Sequence, residues 1–262
     1  MTKRWAIVTG ASSGIGLAFA RELVRRGHPV LAVARRGDRL EAAAGEAAHH
    51  GGKIEPLVAD LATEQGVASA TRRIGELGEI ELLVNNAGIA NAGDFLETSL
   101  DKEIGAIRLN VEAVVSLTHE VLRGMVRRRR GAVINLASVV GFQPFPHFAV
   151  YAAGKAFVLS FSEALAEEVK GTGIRILALC PGSVATEIDV FAHNEGLLGK
   201  LPSLTAEQVV KAGLRALDHG RVVKVVGGLN QFLPFMDRLM PRQMVRRLMG
   251  VSVKPSRTLR DG

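Results

Sequence analysis

The chain has 262 residues, 47% hydrophobic and 23% charged, enough for one large domain around a substantial core. Its single cysteine, Cys180, excludes an intrachain disulfide and suits a reducing compartment. The formal charge is +7, but residues 230–262 hold seven Arg/Lys against two Asp/Glu, and an excess gathered in the tail argues against a nucleic-acid face spread over the fold.

The sequence begins Met1-Thr2-Lys3-Arg4-Trp5 and runs straight into an apolar strand, Trp5–Thr9, without a signal-peptide core. No stretch reaches the roughly 18 uncharged apolar residues that a bilayer span needs, so a cytoplasmic protein is expected. The first strand leads into Thr9-Gly10-Ala11-Ser12-Ser13-Gly14-Ile15-Gly16 and then a helical pattern, Leu17–Arg26. Glycine is required where backbone turns tightly or approaches a pyrophosphate, and the free N–H groups of a helix start attract anions. This places a dinucleotide on Gly10, Ser12, Ser13, Gly14, Ile15 and Gly16; an ordinary tight turn is the alternative.

The second strand, Pro29–Ala34, ends in Arg35-Arg36. An acid at this point would bond the ribose 2′-OH of NAD and repel a 2′-phosphate, whereas a guanidinium can pair with that phosphate. Arg35, assisted by Arg36, therefore points to NADP(H); solvation of a strand end is the bland alternative. A helix over Arg39–His49 and a third strand, Ile54–Ala59, follow, and Asp60 comes next, where spacing alone allows an N-cap for the next helix. The fourth strand, Leu82–Asn85, closes on Asn86-Ala87-Gly88, small residues that let the chain pass beside a bound nucleotide.

A long helix, Leu100–Arg129, ends in the basic run Arg127–Arg130, where cations suit the dipole and no partner is assigned. The fifth strand, Ala132–Leu136, is followed by Ser138, and a helix over Ala152–Lys170 opens beside Tyr151, the chain's only tyrosine. Lys155 lies four residues on, so both side chains share one face, and an ammonium near a phenol lowers its pKa towards the working range. Ser138 can converge with Tyr151 on one substrate oxygen at the strand C-termini, where ligands bind in such sheets; a capping serine is the alternative. Strands at Arg175–Leu179 and Val222–Val226 complete the pattern.

Each strand is short and apolar on consecutive positions, as strands covered on both faces are. Their alternation with helices predicts an α/β protein: a doubly wound (Rossmann) parallel seven-stranded sheet with helices on both faces. It is expected to occupy residues 1–228 as one domain, with residues 229–262 as a basic amphipathic extension. That tail reads as two short helices broken at Pro241, packing on the core or on another subunit, or making peripheral membrane contact. Apolar residues of Val139–Val150 (Phe142, Phe145, Phe148) and Glu187–Leu204 (Phe191, Leu197, Leu198) suggest a hydrophobic substrate, or else packing over the cofactor. The seven histidines, His28, His49, His50, His119, His147, His193 and His219, are scattered, and no metal is expected.

Together the phosphate turn, Asp60, Asn85-Asn86-Ala87-Gly88, Asn110, Ser138, Tyr151-x3-Lys155 and Pro181-Gly182 leading to Thr186 resemble the classical short-chain dehydrogenase/reductase family over residues 4–228. The resemblance implies that Tyr151 is the general acid/base, Lys155 its electrostatic partner on the nicotinamide ribose, and Ser138 the holder of the substrate oxygen. It implies that Asn110 kinks its helix around a proton-relay water, and that Asp60 and Leu61 contact adenine. Asn86, Ala87 and Gly88 would wall the adenosine side, and Pro181, Gly182, Val184 and Thr186 would flank the nicotinamide and phosphates. Ser13 departs from the Arg or Lys that many NADP-using members carry there, so the cofactor reading leans on Arg35. The resemblance also suggests a homodimer or homotetramer through the Leu100–Arg129 and Ala152–Lys170 helices. An NADP-dependent carbonyl reductase or alcohol dehydrogenase is expected; the alternatives are an NAD-dependent hydroxysteroid-type dehydrogenase and a nucleotide-sensing or membrane-docking protein with vestigial catalysis.

Overall fold

The structure, a computed structural model, describes residues 4–187, 203–228 and 241–252. In chain order the elements are β1 (Arg4–Thr9), α1 (Gly14–Arg25), β2 (Val30–Ala34), α2 (Gly37–His49), β3 (Ile54–Val58), α3 (Glu64–Glu76) and β4 (Glu79–Asn85). Then come α4 (Leu100–Ile107), α5 (Ala113–Arg128), β5 (Gly131–Leu136), α6 (Ala149–Glu168), β6 (Ile174–Pro181), α7 (Ala206–Asp218), β7 (Val223–Val226) and α8 (Arg242–Ser252). The seven strands form one parallel sheet in the order β3-β2-β1-β4-β5-β6-β7. The chain leaves β3 at one edge and re-enters as β4 on the far side of β1, which opens a crevice at the C-terminal ends of β1 and β4.

The alternation of side chains along each strand sorts them into two cores. Ala6 and Val8 of β1, Val30 and Ala32 of β2 and Ile134 of β5 pack with Phe19 and Leu23 of α1, Leu40 of α2 and Leu214 of α7. Trp5, Ile7, Leu31 and Val133 point the other way, against Ala70 and Ile74 of α3 and Leu117, Val121 and Met125 of α5. The expectation that every strand is covered on both faces fails at the edges: β3 and β7 are only partly buried, and Val58 is 60% exposed. An edge strand borders solvent whatever its composition, because strand order is set by the crossovers.

The expected single helix over Leu100–Arg129 is two helices joined by a wider π turn at Arg108–Glu112, the place of Asn110. Arg129 ends α5 in the left-handed region. The basic run does more than face a dipole. Arg130 pairs with Glu79 at 2.6 Å and Glu81 at 3.0 Å, and Arg128 donates to the Ile80 carbonyl at 3.1 Å. It fastens α5 to the start of β4.

By length and apolarity α6 could cross a bilayer, yet its Tyr151, Lys155, Val158, Leu159 and Ser162 are buried in the molecule. A buried polar chain fixes it on the sheet. Asn85 Nδ2 donates to Thr118 Oγ1 and to Asn135 Oδ1, both at 2.9 Å, and Asn135 Nδ2 donates to Ser162 Oγ at 2.9 Å. Asn135→Ala would strip a partner from Asn85 and another from Ser162 in a dry environment. A loss of about 2–3 kcal/mol is expected, read as a lower urea midpoint at unchanged slope; an unmoved midpoint would show that the chain is not a structural tie.

Of the expected pair of tail helices, α8 is the second; the apolar residues of the first, Phe232, Leu233, Phe235, Met236, Leu239 and Met240, lie outside the described residues. Val245 and Met249 of α8 are buried against Val139, Val140, Phe145, Phe148 and Tyr151, while Met244 and Leu248 are exposed. Phe145 and Phe148 therefore serve packing beneath α8 and do not line the cleft described below. Phe191, Leu197 and Leu198 also lie outside the described residues.

Candidate active site

Where β1 and β4 part, Thr9 and Asn86 stitch the two strand ends together. Thr9 Oγ1 accepts from the N–H groups of Asn86 and Ala87, both at 2.9 Å, and Asn86 Nδ2 donates to the Thr9 carbonyl at 2.9 Å. The turn that follows admits only glycine at its crowded points. Gly10 takes φ +66°, and a Cβ on Gly16 would stand 2.2 Å from the Gly10 oxygen. Helix α1 begins at Gly14, three residues before the expected Leu17, so the glycine turn and the helix's first N–H groups coincide.

A cleft of about 330 Å³ runs from this turn along the sheet's C-terminal edge. At one end it is lined by Gly10, Ser12, Ser13, Gly14, Ile15, Arg35 and Arg36, and in the middle by Asp60, Leu61, Asn86, Ala87 and Gly88. Its other end meets Ser138, Tyr151, Lys155, Pro181, Gly182 and Val184, and Thr186 returns along the wall to Gly14. Gly16 and Asn110 stand behind this surface; Leu109 and Ile89, neighbours of Asn110, are on it.

At the first end it is Arg36 that grips the turn. Its Nε and Nη2 donate to Ser12 Oγ at 3.1 and 3.0 Å, and Nη2 also donates to Ser13 Oγ at 2.8 Å. Arg35 lines the cleft from an exposed position. Asp60 is not a helix cap: its carboxylate accepts from the Ala62 N–H at 3.0 Å, and Thr63 caps α3 instead.

At the other end the helix α6 starts at Ala149, so Tyr151 and Lys155 both lie within it, on one face. Both are buried, and the Lys155 ammonium stands 5.6 Å from the centre of the Tyr151 ring. Lys155 Nζ donates to the Leu136 carbonyl at 2.6 Å. Burial lowers its pKa from 10.5 to about 8; the Cys180 thiol opposes this weakly, because burial pushes that thiol up to about 12 and keeps it neutral. Ser138 caps the short 3-10 turn at Val139–Phe142: its Oγ accepts from the Val140 N–H at 3.3 Å, which leaves its proton to donate. Asn110 is clamped by Ile89, accepting from its N–H at 3.1 Å and donating to its carbonyl at 2.8 Å. A Cβ on Gly88 would lie 2.9 Å from Asn110 Oδ1 and 3.6 Å from Lys155 Nζ, so bare backbone keeps the floor between them open.

The sequence reading missed three participants. The Leu136 carbonyl acts through backbone and leaves no side-chain signal. Arg39 and Glu187 form an ion pair at 2.7 Å between α2 and the segment after β6, a contact between distant stretches that no local spacing announces.

A family model described as short chain dehydrogenase matches residues 4–195. The chain is 38% identical over 189 residues to a very-long-chain 3-oxoacyl-CoA reductase of Anas platyrhynchos, covering 70% of this chain and 61% of that protein. It is 33% identical over 220 residues to the 17-beta-hydroxysteroid dehydrogenase type 3 of Mus musculus, covering 83% of this chain and 70% of that one. The chain thus spans less than two thirds of the reductase's length. Among solved structures, a short-chain dehydrogenase from Sphingobium yanoikuyae in complex with NADPH superposes with a TM-score of 0.80 at 31% identity, covering 96% of both chains.

Proposed function

The chain belongs to the short-chain dehydrogenase family, and we propose that within it this protein exchanges a hydride between NADP(H) and the carbonyl or alcohol carbon of a hydrophobic substrate. The observation that carries the reading is a single cleft with guanidinium and hydroxyl donors at one end and a buried phenol–ammonium pair at the other. The residues suit the cofactor. Arg36, Ser12 and Ser13 offer donors for phosphate, the start of α1 offers backbone N–H groups, and no acid follows Ala34.

Bound there, the cofactor supplies or accepts the hydride; the protein's part is orientation and proton transfer. Ser138 donates a hydrogen bond to the substrate oxygen and steadies the charge that gathers there, while keeping its own proton. Tyr151 protonates that oxygen in reduction and deprotonates the alcohol in oxidation. Lys155, positively charged below about 8, stabilises the negative charge that builds on the Tyr151 oxygen as its proton moves. The relatives named for a steroid and for a very-long-chain acyl group support a hydrophobic substrate. The exposed Leu100, Ile104 and Ile107 along α4 support pairing of copies into a homo-oligomer.

Cofactor preference is tested by titrating NADPH and NADH against nucleotide fluorescence. Arg35→Asp and Arg36→Asp each replace a phosphate donor with a repelling acid. Each should cut the NADPH-to-NADH affinity ratio by roughly 10- to 100-fold, the worth of one charge-assisted hydrogen bond. An unchanged ratio in both variants would remove the NADP assignment.

A further inference from the structure

The arginine end of the cleft already holds an anion, and that anion belongs to the chain. Glu187 Oε2 lies 2.8 Å from Arg36 Nη1 and accepts from Ser13 Oγ at 3.1 Å, while its Oε1 accepts from Arg39 Nη1 at 2.7 Å. Arg36 and Ser13 are the N-cap residues of α2 and α1, so side chains from two helix starts meet on the same carboxylate. Thr186, the residue before it, packs so close to the turn that a Cβ on Gly14 would stand 2.9 Å from its Cγ2. Glu187 is therefore carried to the phosphate-binding turn by the same stretch of chain that borders the catalytic end of the cleft.

Two guanidiniums and a hydroxyl form a donor set suited to a phosphate group. We propose that Glu187 is a built-in competitor for the 2′-phosphate of the cofactor, and so a residue that sets cofactor specificity. The inference rests on the NADP reading above. Charge decides which occupant stays. Arg35 on the cleft wall, with Arg36 and Arg39 on the carboxylate, brings three positive charges to this end, and Glu187 cancels one. A phosphate monoester brings about −1.5 to −2 at neutral pH, so beside Glu187 it would use up nearly all the remaining positive charge, whereas in place of Glu187 it would still meet an excess of about one. The carboxylate cannot escape by protonation, because hydrogen bonds from Arg39 and Arg36 hold its pKa down at about 2. It can leave by rotation, since its side chain is 50% exposed and such surface pairs are weak. A cofactor without the 2′-phosphate has no need to displace it. Glu187 thus taxes NADPH binding and spares NADH.

The test is a titration of wild type, Glu187→Gln and Glu187→Ala with NADPH, NADH, adenosine 2′,5′-bisphosphate and AMP. Both variants should bind NADPH and the bisphosphate about 2- to 5-fold more tightly, with NADH and AMP unchanged. Weaker NADPH binding would overturn the proposal by showing that Glu187 braces the arginines. Equal tightening of all four ligands would overturn it too, by showing a general anion effect. Should the Arg35→Asp and Arg36→Asp variants leave the cofactor ratio unmoved, the NADP reading itself fails. Should they shift it while the Glu187 variants do not tighten NADPH, only the competitor role fails.

Discussion

Tyr151→Phe is expected to lower turnover by about 10²- to 10⁴-fold while NADPH affinity stays within a few-fold of wild type. The substitution removes one oxygen and keeps the ring. The ring is what packs against Val139, Phe145, Phe148 and the inner face of α8, so the fold around it should survive. What disappears is the proton that reaches the substrate oxygen. The phosphate end of the cleft, with Arg36 and the two serines, is untouched. The variant also separates a catalyst from a nucleotide sensor that has kept its site without using it. A sensor's nucleotide-dependent readout would persist in Tyr151→Phe, and wild type would show no turnover to lose. Retention of full turnover by the variant would remove Tyr151 from the reaction.

Lys155→Met should separate stability from activity. The ammonium is buried, with the Leu136 carbonyl as its hydrogen-bond acceptor. Burial disfavours its charged form, so its folded pKa, about 8, lies below the unfolded value of 10.5. A lysine with a depressed folded pKa costs stability wherever it must be charged to match the unfolded chain. The penalty is full below about 8, is relieved as pH rises between about 8 and 10.5, and is gone above that. Methionine has similar reach and no charge. At neutral pH the variant should therefore be more stable by about 1–3 kcal/mol, less what the orphaned Leu136 carbonyl gives back. That advantage should vanish by pH 10.5, while turnover falls by at least about 10²-fold. In wild type, kcat/KM for reduction should decline above about pH 8 as the Lys155 ammonium loses its proton. Denaturant melts across this pH range check the first claim, and a variant less stable at neutral pH would contradict it. A protein that keeps a destabilising charge in its interior is paying for function at that point.

Much of the architecture was legible because central strands of a parallel sheet must be apolar on both faces. In β1, β2 and β5 consecutive residues are buried, and their runs of Val, Ile, Leu and Ala say so directly. The β3 edge had a mark in Glu55 and Pro56, since proline sits on edge strands, but its apolar neighbours Ile54, Leu57 and Val58 masked it, and Val58 faces solvent. The π turn at Arg108–Glu112 has no compositional mark; it is one extra residue in a helical turn, and Asn110 came to notice only through family resemblance. Tyr151 and Lys155 were visible because one helical turn of spacing is a local rule. The bridge from Glu187 to Arg36 and Arg39 was not, because contacts between distant segments depend on the finished fold. The Arg127–Arg130 run shows the same limit: its sequence suggested a helix dipole, and its partners Glu79 and Glu81 lie at the start of another strand.

The most direct test follows an isotope. NADPH carrying deuterium at the transferable position of the nicotinamide would be incubated with the protein and a panel of hydrophobic ketones, and the alcohols analysed by mass spectrometry. The account predicts one deuterium on the carbinol carbon, with the hydroxyl proton drawn from solvent. Saturating NADPH binding without deuterated alcohol from any ketone, or alcohol whose carbinol carbon carries only solvent hydrogen, would contradict it.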